Sequence, residues 1–252
     1  VMPIPDASAK PGPDLDWERF LGPAPRRPFD PVRFFRWRNY DDYGTGVAGD
    51  LFVHLFSGIH FALGSNGPRR VTAMGGLRHW KDGRDAPDVM VGLFDYPQTA
   101  SHPPFTMSLQ VNFADGSGGG QEFRFVGDEG VMTISGAGVG VSRRAPDREP
   151  GYTIDTFAEA QQKAFLEEYR ETYPEPAQPS LAESSQTLFQ APRGYDDRRD
   201  HFERFFHAVR TKGRVVEDAT FGFRAAAPAL LCNMSQREGR TIAWDPERLR
   251  TA

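Results

Sequence analysis

The chain has 252 residues, 38% of them apolar and 25% charged, a net charge of −4 and a single cysteine, Cys232. The length suits one large domain or two small ones, and the acidic balance provides no bulk basic field for nucleic acid. One thiol excludes a disulfide framework or a cysteine metal site within the chain, and no run of about 18 apolar residues offers a membrane span.

The 26 glycines and 21 prolines point to many turns and long connections rather than a helical bundle. Residues 1–30 hold seven prolines and no apolar period, which predicts an extended arm with one short helical turn near DWERFLG. Residues 31–252 read as a single α+β domain. No secretory signal opens the chain, and a start at Val1-Met2-Pro3 fits a processed chain or a fragment, so cytoplasm and periplasm both stay open.

Along 45–63, Phe52, Leu55, Phe56, Ile59 and Leu63 recur at helical spacing, with Asp50, His54 and Gly58 nearly opposite. Strands are predicted at 70–74, 89–96 and 105–113, the last with unbroken alternation from Phe105 to Phe113. Residues 122–135 read as a hairpin, and GVGVSRR adds another strand; GSGGG at 116–120 reads as a hairpin loop. Helices follow at 153–172, 197–210 and 218–236, the last expected to kink or split at Pro228. The proline-rich 173–197 reads as an irregular connection, and RTIAWDP closes as a short strand. Helix, then consecutive strands, then helices predicts an α+β fold: an open, mostly antiparallel (mixed) sheet with helices packed on one face.

Gly44, Gly46 and Gly49 spell a G-x-G-x-x-G, but Arg-Asn-Tyr-Asp-Asp-Tyr precedes it where a dinucleotide loop needs a buried strand. The chain therefore contains no Rossmann domain. Asp50 and His54, at i and i+4, share a helix face, where a carboxylate can orient an imidazole for proton transfer. The same spacing also suits a solvated helix face. In RFFRWRNY, Arg36, Arg38 and Tyr40 could donate to a sugar while Trp37 stacks on it; in HWKDGRDAPD, Trp80, Lys81 and Arg84 offer similar contacts. A surface segment with salt bridges reads equally well. The histidines lack metal-ligand spacing, so no metal is expected.

The segments DWERFLGPAPRRPFDPVRFFRWRNYDDYGTGVAGDLFVHLFSGIHFALG, RVTAMGGLRHWKDGRDAPD, FRFVGDEGVMTIS, VVEDATFGFRAAAPALL and SQREGRTIAWDPE together resemble the C-terminal domain of the Gfo/Idh/MocA oxidoreductases, from about residue 15 to 248. The most specific element is the glycine-rich helix start followed by Asp50 and His54. The resemblance implies a full-length protein in which a separate Rossmann half binds NAD or NADP and supplies a catalytic lysine. It implies His54 as acid/base toward a sugar or polyol hydroxyl, Asp50 as its orienting group, and a homo-oligomer formed through the open sheet face. The chain alone would then hold no dinucleotide and turn over nothing. A stand-alone sugar-binding or assembly module, and an NAD-assisted glycosidase, remain the alternatives.

Overall fold

The computed structural model describes residues 4–113, 115–116, 120, 122–136, 138–143, 153–174 and 186–252. The chain divides into two compact units, one of Val1–Gly118 with His201–Ala252, the other Gly119–Asp200.

The first unit begins with two short capped helices. In α1 (Trp17–Leu21) the Asp16 carboxylate accepts from the Arg19 amide at 3.0 Å. In α2 (Pro31–Phe35) Asp30 accepts from the Val32 amide at 2.8 Å, and Pro31 takes the first helical position, where its missing N–H costs nothing. Trp17 is buried, donates its indole N–H to the Arg27 carbonyl at 2.9 Å, and packs with Phe20, Phe29 and Tyr43. The expected helical turn near DWERFLG is thus α1, seated by its own aromatic cluster.

A π-helical turn, Ala48–Phe52, leads into α3 (Val53–Leu63), which ends on left-handed Gly64. Strands β1 (Arg70–Gly76), β2 (Val89–Tyr96), β3 (Phe105–Asn112), β8 (Ile242–Asp245) and β9 (Arg250–Thr251) form an antiparallel sheet in the order β3-β2-β1-β8-β9. One sheet face carries Val71, Ala73, Met90, Phe94, Tyr96 and Leu109 into a core shared with Phe52 and Phe56 and with α6 (Ala219–Glu238). Each such phenylalanine taken fully out of water contributes roughly 1.5–3 kcal/mol. The other face is open: Met74 opposes Val91, Thr72 opposes Leu93, and Met74 and Leu93 are 77% and 51% exposed.

Two expectations change here. Pro228 lies inside α6, yet the helix runs uninterrupted. Its ring is fully buried, so packing offsets the lost backbone hydrogen bond. Phe113 falls just past the end of β3 and is half exposed, although the alternation put it on the core face.

Beneath the sheet, buried His60 lies 2.9 Å from the Tyr96 hydroxyl through Nε2, and its Nδ1 has no partner among the described residues. Burial, with smaller contributions from His102 and Arg224, lowers its pKa to about 4. Burial likewise pushes the Tyr96 phenol up, and the Cys232 thiol up to about 12.

In the second unit β4 (Phe123–Val126), β5 (Gly130–Ser135), β6 (Gly138–Arg143) and β7 (Gln186–Phe189) form a four-stranded antiparallel sheet, with α4 (Glu159–Thr172) between β6 and β7 in sequence. So the expected sheet is two sheets, and β7 stands inside the stretch read as irregular. Four residues among prolines are too short to show a period. Residues 117–119 of the GSGGG loop and 175–185 of the 173–197 connection lie outside the described residues. Next in sequence comes helix α5 (Asp197–Thr211), whose residues from His201 on belong to the first unit, with Phe202, Phe205, Phe206 and Val209 exposed. The fold is α+β, as the order of elements predicts.

Candidate functional site

The site grows from the glycine segment. Gly46 adopts φ +62°, a left-handed conformation that a side chain resists. It sets the chain's direction into the helix, and the Asn233 amide of α6 holds that corner by donating to the Thr45 carbonyl at 2.6 Å. A methyl group on Gly49 would collide with the Cβ and Oγ1 of Thr45. These glycines serve a tight, widened helix start. No strand leads into them, because residues 40–44 form a turn in which the Gly44 amide donates to the Tyr40 carbonyl at 2.8 Å. The segment therefore does not fit a dinucleotide pyrophosphate.

Above this start opens a cleft of about 1020 Å³. Asp50 and His54 both line it, as do Arg36, Arg38, Tyr40, Trp80 and Arg84. His54 is exposed and makes no hydrogen bond among the described residues. Asp50 does not bond to His54; its ion pair is with Arg38, Oδ2 to Nε at 3.5 Å. The Arg38 guanidinium lies 4.2 Å over the Trp37 ring. Trp37 does not line the cleft, so the expected stacking of Trp37 on a sugar is replaced by stacking on Arg38. Tyr40 is buried under Arg33, whose guanidinium sits 4.1 Å over its ring, and burial raises its pKa.

The facing wall is the β1–β2 loop. Asp88, fully buried, accepts from the amides of Arg78, His79 and Trp80 at 2.7, 2.8 and 2.8 Å. Burial opposes its charge, but the three N–H bonds outweigh burial and hold its pKa below the usual carboxylate value. With the backbone wrapped on Asp88, Trp80 meets Phe113 at 5.4 Å between ring centroids, and Arg84 lies 4.1 Å over the Trp80 ring. Arg84 is locked by Asp82 through Nε and one Nη at 2.7 and 2.6 Å, which lowers the Asp82 pKa to about 2. The loop is stapled to the Arg36–Tyr40 side by the Asp85 and Ala86 amides, both 3.1 Å from the Asn39 carbonyl. Lys81, one residue from Trp80, is exposed and does not line the cleft.

Asp82, Asp88 and Asn233 also shape the cleft and its helix start. Asp82 carries a local signal, two residues before Arg84 in a Lys-Asp-Gly turn. Nothing in the sequence marks Asp88 or Asn233.

The oxidoreductase family's C-terminal alpha/beta domain, Gfo/Idh/MocA type, matches residues 24–244, and the chain belongs to this family. No curated protein matches it. Among solved structures it is similar to an oxidoreductase from Agrobacterium radiobacter in complex with NAD+, L-tartaric acid and magnesium, at 14% identity and TM-score 0.50, covering 88% of this chain and 55% of that one. It is similar to GenD2 of gentamicin A biosynthesis in complex with NAD, at 17% identity and TM-score 0.51, covering 83% and 51%. It is similar to an NAD-binding protein from Listeria innocua, at 14% identity and TM-score 0.50, covering 82% and 54%. At these identities the likeness is one of fold, and the chain spans about half the length of each of these structures.

Proposed function

We propose that this chain is the substrate-side and oligomerisation domain of an NAD(P)-dependent oxidoreductase acting on a CH–OH group of a sugar or polyol, with His54 as its acid/base. The observation that carries the reading is an imidazole with no hydrogen bond among the described residues, with a carboxylate a turn away, lining a cleft with several hydrogen-bond donors. Two of the solved structures of like fold hold NAD, and one of them also holds the hydroxy acid tartaric acid, which supports a nicotinamide-dependent reaction on a hydroxyl-bearing compound.

The hydride acceptor, NAD or NADP, would be held in the full-length protein outside the described residues. The contribution assigned to this chain is the proton. His54 would take it from the carbinol hydroxyl during oxidation and return it in the reverse direction. Asp50 would stabilise the imidazolium through space, across the shared turn, while its ion pair with Arg38 keeps it on the cleft side. Preorganised polar groups of the Asp88 loop would hold the substrate. The open sheet face, with Met74, Val91 and Leu93 exposed, is the surface proposed for self-association.

The test is nicotinamide reduction by the full-length protein with a panel of sugars and polyols. His54→Ala should lower turnover by about 10²–10⁴-fold. Undiminished turnover in that variant would remove His54 from the chemistry.

A further inference from the structure

We propose that the cleft takes an acidic sugar or polyol, a monocarboxylate, and that Arg38 reads its carboxylate; the inference rests on the sugar or polyol reading above. Among the charged groups lining the cleft, Arg84 is paired with Asp82 and Arg38 with Asp50.

The guanidinium groups are not equivalent. Arg84 is committed, held by two short bonds to Asp82 and laid on Trp80, with its side chain only 16% exposed. Arg38 is the opposite case. Its side chain is 65% exposed, and its ion pair to Asp50 runs through Nε at 3.5 Å, longer than the Arg84–Asp82 bonds. Its two Nη groups make no hydrogen bond among the described residues.

The Arg38 plane is nonetheless held in place, because it stacks on Trp37 at 4.2 Å. A guanidinium fixed in plane with its Nη edge open is the shape that a carboxylate grips with two parallel bonds, and little rotamer freedom is left to lose. Asp50 occupies the Nε edge and so decides which edge faces the ligand. It also ties Arg38 to the helix turn that carries His54, so a ligand carboxylate on Arg38 would bring its neighbouring carbinol toward the imidazole. The neighbouring Asp50 charge disfavours a dianion, which selects a carboxylate over a phosphate.

The experiment is calorimetric titration of the full-length protein with two neutral and acid pairs, D-glucose with D-glucuronate and glycerol with D-glycerate, plus D-glucose 6-phosphate. It is repeated on Arg38→Gln and Arg38→Lys, with circular dichroism to confirm folding. In the parent, at least one acid should bind about tenfold or more tightly than its neutral partner. The advantage should shrink with added salt, vanish in Arg38→Gln and survive in part in Arg38→Lys. Equal binding of acid and neutral partner, tighter binding of the phosphate, or a preference that persists in Arg38→Gln overturns the carboxylate assignment and leaves the polyol reading standing. Failure of every sugar, polyol and acid to bind overturns both.

Discussion

Replacing Asp88 tests whether the cleft wall is organised as described. The carboxylate is fully buried and accepts three backbone N–H groups at 2.7 to 2.8 Å. Hydrogen bonds to a charged acceptor contribute about 1.5–3 kcal/mol each, and water entering the vacated space would restore some of the donors. With one to two bonds lost in net, Asp88→Ala should cost about 3–5 kcal/mol. Asp88→Asn keeps one oxygen but turns an NH₂ toward a donor, so it should cost less, about 1–2 kcal/mol. Urea unfolding gives the totals. Native-state hydrogen exchange should show the loss concentrated at the amides of Arg78, His79 and Trp80. The pH dependence adds a check of sign. Because the folded pKa of Asp88 is depressed, its contribution is present above the unfolded carboxylate value of about 4 and is lost as pH falls through the folded value. Asp88→Asn should therefore flatten part of the acid limb. An Asp88→Ala protein within about 1 kcal/mol of the parent, with unchanged exchange in the loop, would refute the account.

His60 gives a second pH signature. Its folded pKa of about 4 lies below the unfolded value of 6.5, so the unfolded chain binds the extra proton first and stability falls as pH drops from the unfolded value toward the folded one. The full effect is roughly 3 kcal/mol. His60→Gln, which keeps a polar partner for the Tyr96 hydroxyl, should remove most of that slope in urea titrations; an unchanged slope would locate the acid sensitivity elsewhere. The open sheet face makes the third case. Leu93→Asp should convert a self-associated species to monomer in sedimentation velocity, and a mass unaffected by the substitution would exclude that face as the contact.

Where burial is one-sided, periodicity reveals it. The alternation through Phe105, Met107, Leu109 and Val111 identifies β3 and its core face, and the spacing of Phe52, Phe56 and Ile59 finds the buried side of the helix that ends at Leu63. The same spacing puts Asp50 and His54 toward the cleft. Periodicity says nothing about groups whose direction is set by distant partners. Trp80 lines the cleft and Lys81 does not, because Asp88, eight residues beyond Trp80, turns the backbone between them. Arg38 is no different from its neighbour Arg36 as a letter. Only the Trp37 ring beneath it and the Asp50 carboxylate beside it give it a direction.

The glycine motif shows the same limit from the other side. A G-x-G-x-x-G can be demanded by a ligand that must approach the backbone or by the backbone alone, and the letters do not separate the two. Here the second glycine turns the chain through a left-handed corner and the third makes room for Thr45, so two of the three are explained by the folding of this segment itself. The corner also depends on Asn233, far along the chain, which holds the Thr45 carbonyl. The π-turn that follows widens the helix where Asp50 sits. A polar pair at helical spacing thus becomes a candidate site only once the turn before it, the helix behind it and the loop across from it have each fixed one wall.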